Sequence, residues 1–499
     1  MNNYDVIVLG AGPGGYVTAL RCAQLGLKTV CIDSWLTPEG KPGLGGTCLN
    51  VGCIPSKALL DSSHHYWHAC HLLQEHGIEA GEPRLDLEKM MQRKERIVRG
   101  LNGGIAALFR KNGVSWLQGH GQLLPGRQLQ VTYMGDRAGE QERLSGERIV
   151  IATGSIPAAL PRIAINHANI VDSSDALSFA KAPPRLGIVG AGVIGLELGS
   201  VWNRLGSEVT VLEALPQFLP AADADIAAVA RKTLAAQGLQ IRLGAAVQGV
   251  QDARKEVRVR FRQDGEDASL TVDKLIVAVG RVANTRGWGA REAGLQLDER
   301  GFVRTDAEGR TNLEGVYAVG DVVGGPMLAH KASEEGTRLA ERLAGRPAAP
   351  LSVDTVPWVI YTWPEIAWVG KTEQELRAAG RELRCGRFPM AASSRARAMG
   401  ETDGLAKIVS DAATDRILGV HVFAANASEW LAEAVTAIEL QASAEDIIHI
   451  VHAHPTLAEA LHEAALAARG RTLHARTAPA AAAAAAVSVT QPEIAREPL

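Results

Sequence analysis

Apolar positions near the N-terminus fall into short unbroken runs separated by a stretch of helical period. YDVIVLGAGPGGYVTALRCAQLGLKTVCID (4–33) passes from an apolar run through a glycine-rich turn into an amphipathic stretch, then into a second apolar run with an acid at its end. PRLGIVGAGVIGLELGSVWNRLGSEVTVLE (184–213) does the same. Shifted by 180 positions, Gly10, Gly12 and Gly15 fall on Gly190, Gly192 and Gly195, Leu25 on Leu205, and Asp33 on Glu213. Unbroken apolar runs read as buried parallel strands and the intervening period as a helix, so the chain holds two copies of one βαβ unit.

Three more runs end on glycine signals and read as strands: RIVIATGS (148–155), KLIVAVGR (274–281) and GVYAVGD (315–321). Past Pro347–Pro350 the texture changes. LAKIVSD (405–411) and RILGVHVFAA (416–425) read as an antiparallel pair, and SEWLAEAVTAIELQ (428–441) and TLAEALHEAALAARG (456–470) as amphipathic helices. The expected fold is α/β, with two Rossmann-like βαβ dinucleotide-binding domains and a C-terminal α+β domain. The boundaries expected are 1–155 for the first nucleotide domain, 156–280 for the second, 281–350 for a central domain completing the first site, and 351–470 for an interface domain. Residues 471–499, with seven consecutive alanines, read as a mobile tail. A length of 499 residues suggests about three domains at ~150 residues each.

Composition narrows the partners. A net charge of -3 offers no basic surface for nucleic acid or anionic lipid, and no apolar run reaches the ~18 residues a membrane span needs. Six cysteines are too few for a secreted disulfide scaffold, and MNNYDVIVLG enters a strand with no signal-peptide pattern, so a cytoplasmic location is expected.

The glycines of each βαβ unit have separate tasks: the first permits a tight turn, the second lets the backbone approach a pyrophosphate, and the third lets helix and strand pack closely. The helix N-terminus presents free N–H groups to the phosphates. Asp33 and Glu213 stand where an acid accepts a ribose hydroxyl, and a carboxylate at 213 repels a 2′-phosphate, which favours NAD over NADP.

GGTCLNVGCIPSKALL (45–60) carries the chemistry. Zinc needs further ligands, and there is no second cysteine pair; His64, His68 and His71 follow at helical spacing without an acidic or thiol partner, so no metal site is expected. Residues five apart in a helix are separated by ~7.5 Å of rise and about 140° of rotation. That spacing is wrong for a disulfide, whose Cα atoms lie ~4.4–6.8 Å apart, so the chain must leave helical geometry between Cys48 and Cys53. Gly52 supplies the freedom and Pro55 suits a first helical turn. Cys53 then sits at a helix N-terminus, where the dipole and Lys57 favour a thiolate. Beside a dinucleotide unit this suggests a flavin stacked on the pair.

HAHPTLAE (452–459) places His454 before Pro455, with Glu459 within reach of the imidazole; the proline is expected to start the helix. A histidine oriented by a carboxylate is an activator of thiols.

The 45–60 segment resembles the redox-active segment of the flavoprotein disulfide reductases. Similarity runs from Tyr4 to about His474, through the GHG at 119–121, GVYAVGDVVGGPMLAHKASEEG (315–336), YTWPEIAWVGKTEQEL (361–376), TDRILGVHV (414–422) and HAHPTLAEALHEAAL (452–466). The resemblance implies FAD and NAD as cofactors and a Cys48–Cys53 redox disulfide. It gives Cys48 the exchange with a substrate dithiol and Cys53 the contact with the flavin, and it makes His454 with Glu459 the proton acceptor. It further implies that Lys57 lies near the flavin and pairs with Glu197, that Asp321 binds the ribityl chain, that Gly121 and Ala329 offer backbone contacts to FAD, and that Val247 and Gly280 line the NAD site. A homodimer is implied, with His454 and Glu459 supplied by the other subunit. The implied substrate is a protein-bound dihydrolipoyl group. The implied partners are the lipoyl-bearing and subunit-binding domains of the acyltransferase core of a 2-oxoacid dehydrogenase, or a glycine cleavage complex.

The chain departs from the family pattern at RVANT (281–285) and AANASEW (424–430), and Trp358, Trp363 and Trp430 are bulkier than expected. The rival enzyme reading is a glutathione-type reductase, which would want basic residues where Glu213 stands. A purely structural subunit of a dehydrogenase complex would not need an intact relay.

Overall fold

The computed structural model describes residues 2–475 except Pro38, Arg162 and Lys255; the alanine-rich tail, from Arg476 on, lies outside the described residues. The chain forms two compact units. The first comprises Met1–Ala221 and Ala230–Trp363; the second comprises Ala222–Val229 and the described residues from Pro364.

In the first unit, strand Asn2–Leu9 lies in parallel between Thr29–Asp33 and Gln141–Ile151, with Val6 opposite both Thr29 and Arg148. The first half of Ser115–Leu124 joins the far edge of Thr29–Asp33, and Val316–Ala318 joins Gln141–Ile151. The other halves of the two long strands pair antiparallel with Gln128–Tyr133. All six strands belong to one sheet, closed by the pairing of Asn2–Leu9 with Gln141–Ile151. Leu123, Leu129 and Leu144 share a core cluster with Trp288. Helix Pro13–Gln24 crosses helix Ala329–Leu343 at Gly336, where a Cβ would lie 2.5 Å from the Thr18 hydroxyl oxygen.

The repeat reappears as a second parallel sheet, ordered Gln240–Arg242, Glu208–Leu212, Arg185–Val189, Lys274–Val277, Ile170–Val171. Helix Val193–Arg204 has the same bounds as Pro13–Gln24 at the 180 offset. An antiparallel sheet of Ala246–Asp252, Val257–Gln263 and Glu266–Val272 packs Val257, Val259 and Phe261 into the same core. The segments linking the first and second sheets, Ser155–Pro157 and Arg281–Ala283, run antiparallel side by side.

The second unit is an antiparallel sheet ordered Glu365–Gly370, Ile417–Ala424, Leu405–Asp411, Leu383–Pro389. The expected pair is its centre, with Lys407 opposite His421. Helix Ala427–Glu439 packs on the first two strands and Glu459–Ala468 on the last two. Lys407 is wholly buried, and its ammonium sits 2.6–2.7 Å from Asp223, Asp225 and Glu373, the compensation that a buried cation requires. Among the described residues no helix is long and apolar enough to cross a membrane.

Candidate functional site

Both fingerprints form the same turn. Gly10 and Gly190 have φ of +102° and +104°, a conformation that disfavours a side chain, and Cβ atoms there would fall 2.3 and 2.5 Å from the Ala152 and Ala278 carbonyl oxygens. A Cβ on Gly15 or Gly195 would lie 1.9 or 2.0 Å from the carbonyl oxygen of Gly10 or Gly190. Gly12 and Gly192 differ: the nearest atom to a Cβ on Gly12 is 3.9 Å away, and Gly192 has nothing within 4 Å. The protein's own packing does not need glycine at these two places, whereas close approach of a pyrophosphate does. The acids match as well. Asp33 accepts from the Ala11 and Trp35 amides at 2.5 and 2.7 Å, and Glu213 from the Ala191 and Leu215 amides at 2.8 and 2.9 Å. Burial raises the Asp33 pKa despite its two amide donors. The residues fit two dinucleotides.

The redox segment breaks where its spacing demands. Helix Gly46–Val51 carries Cys48 and stops at Gly52, and a new helix, Cys53–His71, starts with Cys53 at its first position and Pro55 in its first turn. A Cβ on Gly52 would meet the Thr47 carbonyl oxygen at 2.9 Å, so the break depends on glycine. Both cysteines are free thiols here, and they are unequal. The Cys48 thiol donates to the Cys53 sulfur; this, outweighing burial and aided by the Lys57 charge, lowers the Cys53 pKa to about 7. The same hydrogen bond, with burial, pushes Cys48 far up. Tyr16, on the first fingerprint helix, is raised by burial and by Cys48, a neighbour its sequence position does not advertise.

Lys57 lies one turn into the Cys53 helix. Its ammonium contacts both carboxylate oxygens of Glu197 at 3.0 and 2.8 Å, and stands 4.5 Å from the centre of the Tyr361 ring. Glu197 is 3 % exposed and also accepts from the Tyr361 amide at 3.0 Å. Burial works against the Lys57 charge, but Glu197 outweighs it and the pKa rises.

Asp321, in the turn Gly320–Val323, accepts from the Ser155 hydroxyl at 2.5 Å. Ala329 opens the following helix. Gly121 packs inward, where a Cβ would strike Leu9 and Leu129. Val247 stands beside a bulge opposite Phe261, and the Gly280 carbonyl accepts from the Ala158 amide with φ of +111°.

In the second unit the His454 Nδ1 lies 2.9 Å from Glu459, whose other oxygen accepts from the Thr456 amide at 2.7 Å. Burial raises the Glu459 pKa, but the Thr456 amide and His454 prevail and lower it. The expectation that Pro455 starts the helix is corrected: the helix begins at Glu459, and residues 453–456 are an irregular turn that the carboxylate braces from the helix's first position. His452 has a partner of its own in Glu433, at 2.8 Å.

The histidine face is less solvated than its polarity suggests. The His64 ring packs 4.3 Å from that of Trp363, and burial with the nearby Arg204 and His68 charges lowers its pKa to about 4. His71 stacks on Trp67. Trp430 is buried in the second unit and donates to the Ala425 carbonyl oxygen at 3.3 Å. Sequence reasoning missed Ser155 and Arg281, whose guanidinium donates to the Ser155 side chain and backbone at 2.7 Å each; they end or open stretches read only as strands and as a departure from the family pattern.

Residues 4–336 match the pyridine nucleotide-disulphide oxidoreductase family, and residues 356–465 match that family's dimerisation domain. The chain belongs to this family: it is an NAD-dependent flavoprotein disulfide oxidoreductase that binds FAD and NAD(H), and it forms a homodimer. It is 50 % identical over 474 residues to the dihydrolipoyl dehydrogenase of Cupriavidus necator, covering 94 % of this chain and 99 % of the relative. It is 45 % identical over 470 residues to the mitochondrial dihydrolipoyl dehydrogenase of Canis lupus familiaris, covering 93 % and 90 %. Among solved structures it resembles LpdA from Mycobacterium tuberculosis (TM-score 0.83, 26 % identity) and the HOCl-induced flavoprotein disulfide reductase RclA from Escherichia coli (TM-score 0.81, 27 %), each covering 93 % of this chain and 99 % of the other.

Proposed function

We propose that this enzyme is a dihydrolipoamide dehydrogenase, oxidising a protein-bound dihydrolipoyl dithiol to the disulfide while NAD⁺ is reduced. The observation that carries the reading is the unequal cysteine pair, with a low Cys53 pKa beside a Lys57–Glu197 ion pair.

Oxidised, the pair is a disulfide, and a substrate thiolate attacks the Cys48 sulfur. Cys53 leaves as a thiolate that the Lys57 charge stabilises. The second substrate thiol then displaces Cys48, so the substrate loses two electrons and the cysteines gain them. The first substrate thiol gives its proton to His454, its Nδ1 held by Glu459; the departing Cys48 thiolate takes one proton, and the imidazole we assign as acceptor keeps the other. We place that dyad on the other subunit of the dimer.

FAD would be held by Gly10, Gly12, Gly15, Asp33, Lys57, Gly121, Asp321 and Ala329, and NAD by Gly190, Gly192, Gly195, Glu197, Glu213, Val247 and Gly280. Bound FAD joins dithiol oxidation to hydride transfer. The partners we assign are the lipoyl-bearing and subunit-binding domains of a 2-oxoacid dehydrogenase core or a glycine cleavage system, in the cytoplasm. We also retain the expected division at 155, 280 and 350 as a functional one.

Steady-state assays discriminate against the glutathione-type rival. NAD⁺-dependent oxidation of dihydrolipoamide should exceed NADPH-dependent reduction of glutathione disulfide by several orders of magnitude. The reverse preference would overturn both the substrate and the Glu213 argument.

A further inference from the structure

The links between the two parallel sheets meet in one hydrogen-bonded chain. Ser155 and Arg281 lie on the paired segments Ser155–Pro157 and Arg281–Ala283, where Ser155 is opposite Ala283 and Arg281 opposite Pro157. Beside them the Thr153 hydroxyl donates to the Asn284 carbonyl oxygen at 2.8 Å, and the Asn284 amide to the Gly154 carbonyl oxygen at 2.9 Å. The Arg281 Nε donates to the Ser155 hydroxyl oxygen and Nη2 to the Ser155 carbonyl oxygen, both at 2.7 Å, and the Ser155 hydroxyl lies 2.5 Å from the Asp321 carboxylate.

Only one proton assignment satisfies this chain. A guanidinium has donors alone, so the Ser155 oxygen accepts from Arg281 and its single proton goes to Asp321. The Asp321 oxygen accepts that proton. One Asp321 oxygen is thus engaged. Two fork contacts from a planar guanidinium fix the orientation of Ser155, a geometry that an ammonium cannot reproduce.

The turn bearing Asp321 is fixed from its other side too. Lys331, 3 % exposed, donates to the Gly324 carbonyl oxygen at 2.7 Å and pairs with Glu335 at 3.0 Å, while Glu335 accepts from the Gly320 amide at 2.8 Å. The backbone of the turn is thereby set by the following helix. Its side chain is aimed by Ser155 and Arg281.

We infer that Arg281 and Ser155 are positioning residues that orient the Asp321 carboxylate toward the ribityl chain of FAD, so that FAD affinity depends on a guanidinium whose hydrogen bonds reach Asp321 through Ser155. Burial lowers the Arg281 pKa, but the opposing charges of Asp321 and Cys53 favour its cationic form, so the link keeps its charge at neutral pH. The inference rests on the assignment of Asp321 to FAD.

The test is FAD binding to apoprotein, followed by flavin fluorescence, for Ser155→Ala, Arg281→Met, Arg281→Lys, the Ser155→Ala/Arg281→Met double variant and Asp321→Asn, each with the thermal midpoint of its apoprotein. Ser155→Ala and Arg281→Met should each weaken FAD binding by about tenfold, the scale of one hydrogen bond to a charged group. The double variant should lose no more than Ser155→Ala, because both act through one chain of bonds, and Arg281→Lys should not restore affinity. Unchanged FAD affinity in the single variants, or losses that multiply in the double variant, would overturn the inference. An Asp321→Asn variant that binds FAD as the wild type does would overturn the assignment beneath it instead. Where an apoprotein midpoint falls, the order of affinities among the variants that keep the wild-type midpoint decides, and in particular the comparison of Arg281→Lys with wild type.

Discussion

Lys57 and Glu197, 140 residues apart, share two contacts of 2.8 and 3.0 Å, and so tie the helix that starts at Cys53 to the helix of the second fingerprint. The pair holds a cation near the thiol that needs one and supplies the counter-charge its own burial requires.

Replacing Lys57 by Met leaves the Glu197 carboxylate, 3 % exposed, with the Tyr361 amide but no cation. Stranding one member of a buried pair costs about 3 kcal/mol, at the lower end of the usual range because Lys57 is partly exposed. Chemical denaturation should show that loss. The Cys53 pKa should also rise, because Lys57 is one of the charges holding it down.

Cys53 should make stability depend on pH. Its folded pKa, about 7, lies below that of a free thiol, so the folded protein favours the thiolate. The contribution is complete above the unfolded value and is lost as the pH falls through about 7. Denaturation of the reduced protein from pH 9 to 6 should show a slope that Cys53→Ser removes. The same slope in that variant would assign it to another group.

The Glu459 carboxylate braces both His454 and the Thr456 amide. Glu459→Gln keeps the shape and removes the charge, so turnover with dihydrolipoamide should fall about a hundredfold, the scale of a positioned general base. NADH oxidation by an artificial electron acceptor, which needs no dithiol, should be spared. Equal loss in both assays would point to misfolding of the interface domain.

The fingerprint glycines should separate by role. Gly192→Ala meets no atom within 4 Å, so its thermal midpoint should hold while NAD affinity falls. Gly195→Ala puts a Cβ 2.0 Å from the Gly190 carbonyl oxygen and should destabilise the fold itself. Equal stability losses would show that open space at 192 has no bearing on nucleotide approach.

The repeat was legible because it is local: turn, helix and terminal acid lie within thirty residues, and even the amides that Asp33 and Glu213 accept recur at the 180 offset. The cysteine break was legible because a helix cannot serve residues 48 and 53 at once. Long-range matters were not. Nothing near Asp223 signals that it pairs with Lys407, 184 residues on, or that residues 222–229 group with the second unit. Pro455 misled because its backbone preference is weaker than the bracing of residues 453–456 by Glu459, which delays the helix by a turn. The chain from Arg281 through Ser155 to Asp321 draws on three separate segments, and nothing within one of them signals its contact with the others.

Rapid mixing with dihydrolipoamide tests the unequal pair most directly. The oxidised wild-type holoenzyme should develop the long-wavelength absorbance that a thiolate gives beside a bound flavin. Cys48→Ser, which cannot form the disulfide, should show it without any reductant, because the Cys53 thiolate already stands beside oxidised flavin, and Cys53→Ser should not. Long-wavelength absorbance that survives in Cys53→Ser and vanishes in Cys48→Ser would contradict the assignment of the two sulfurs.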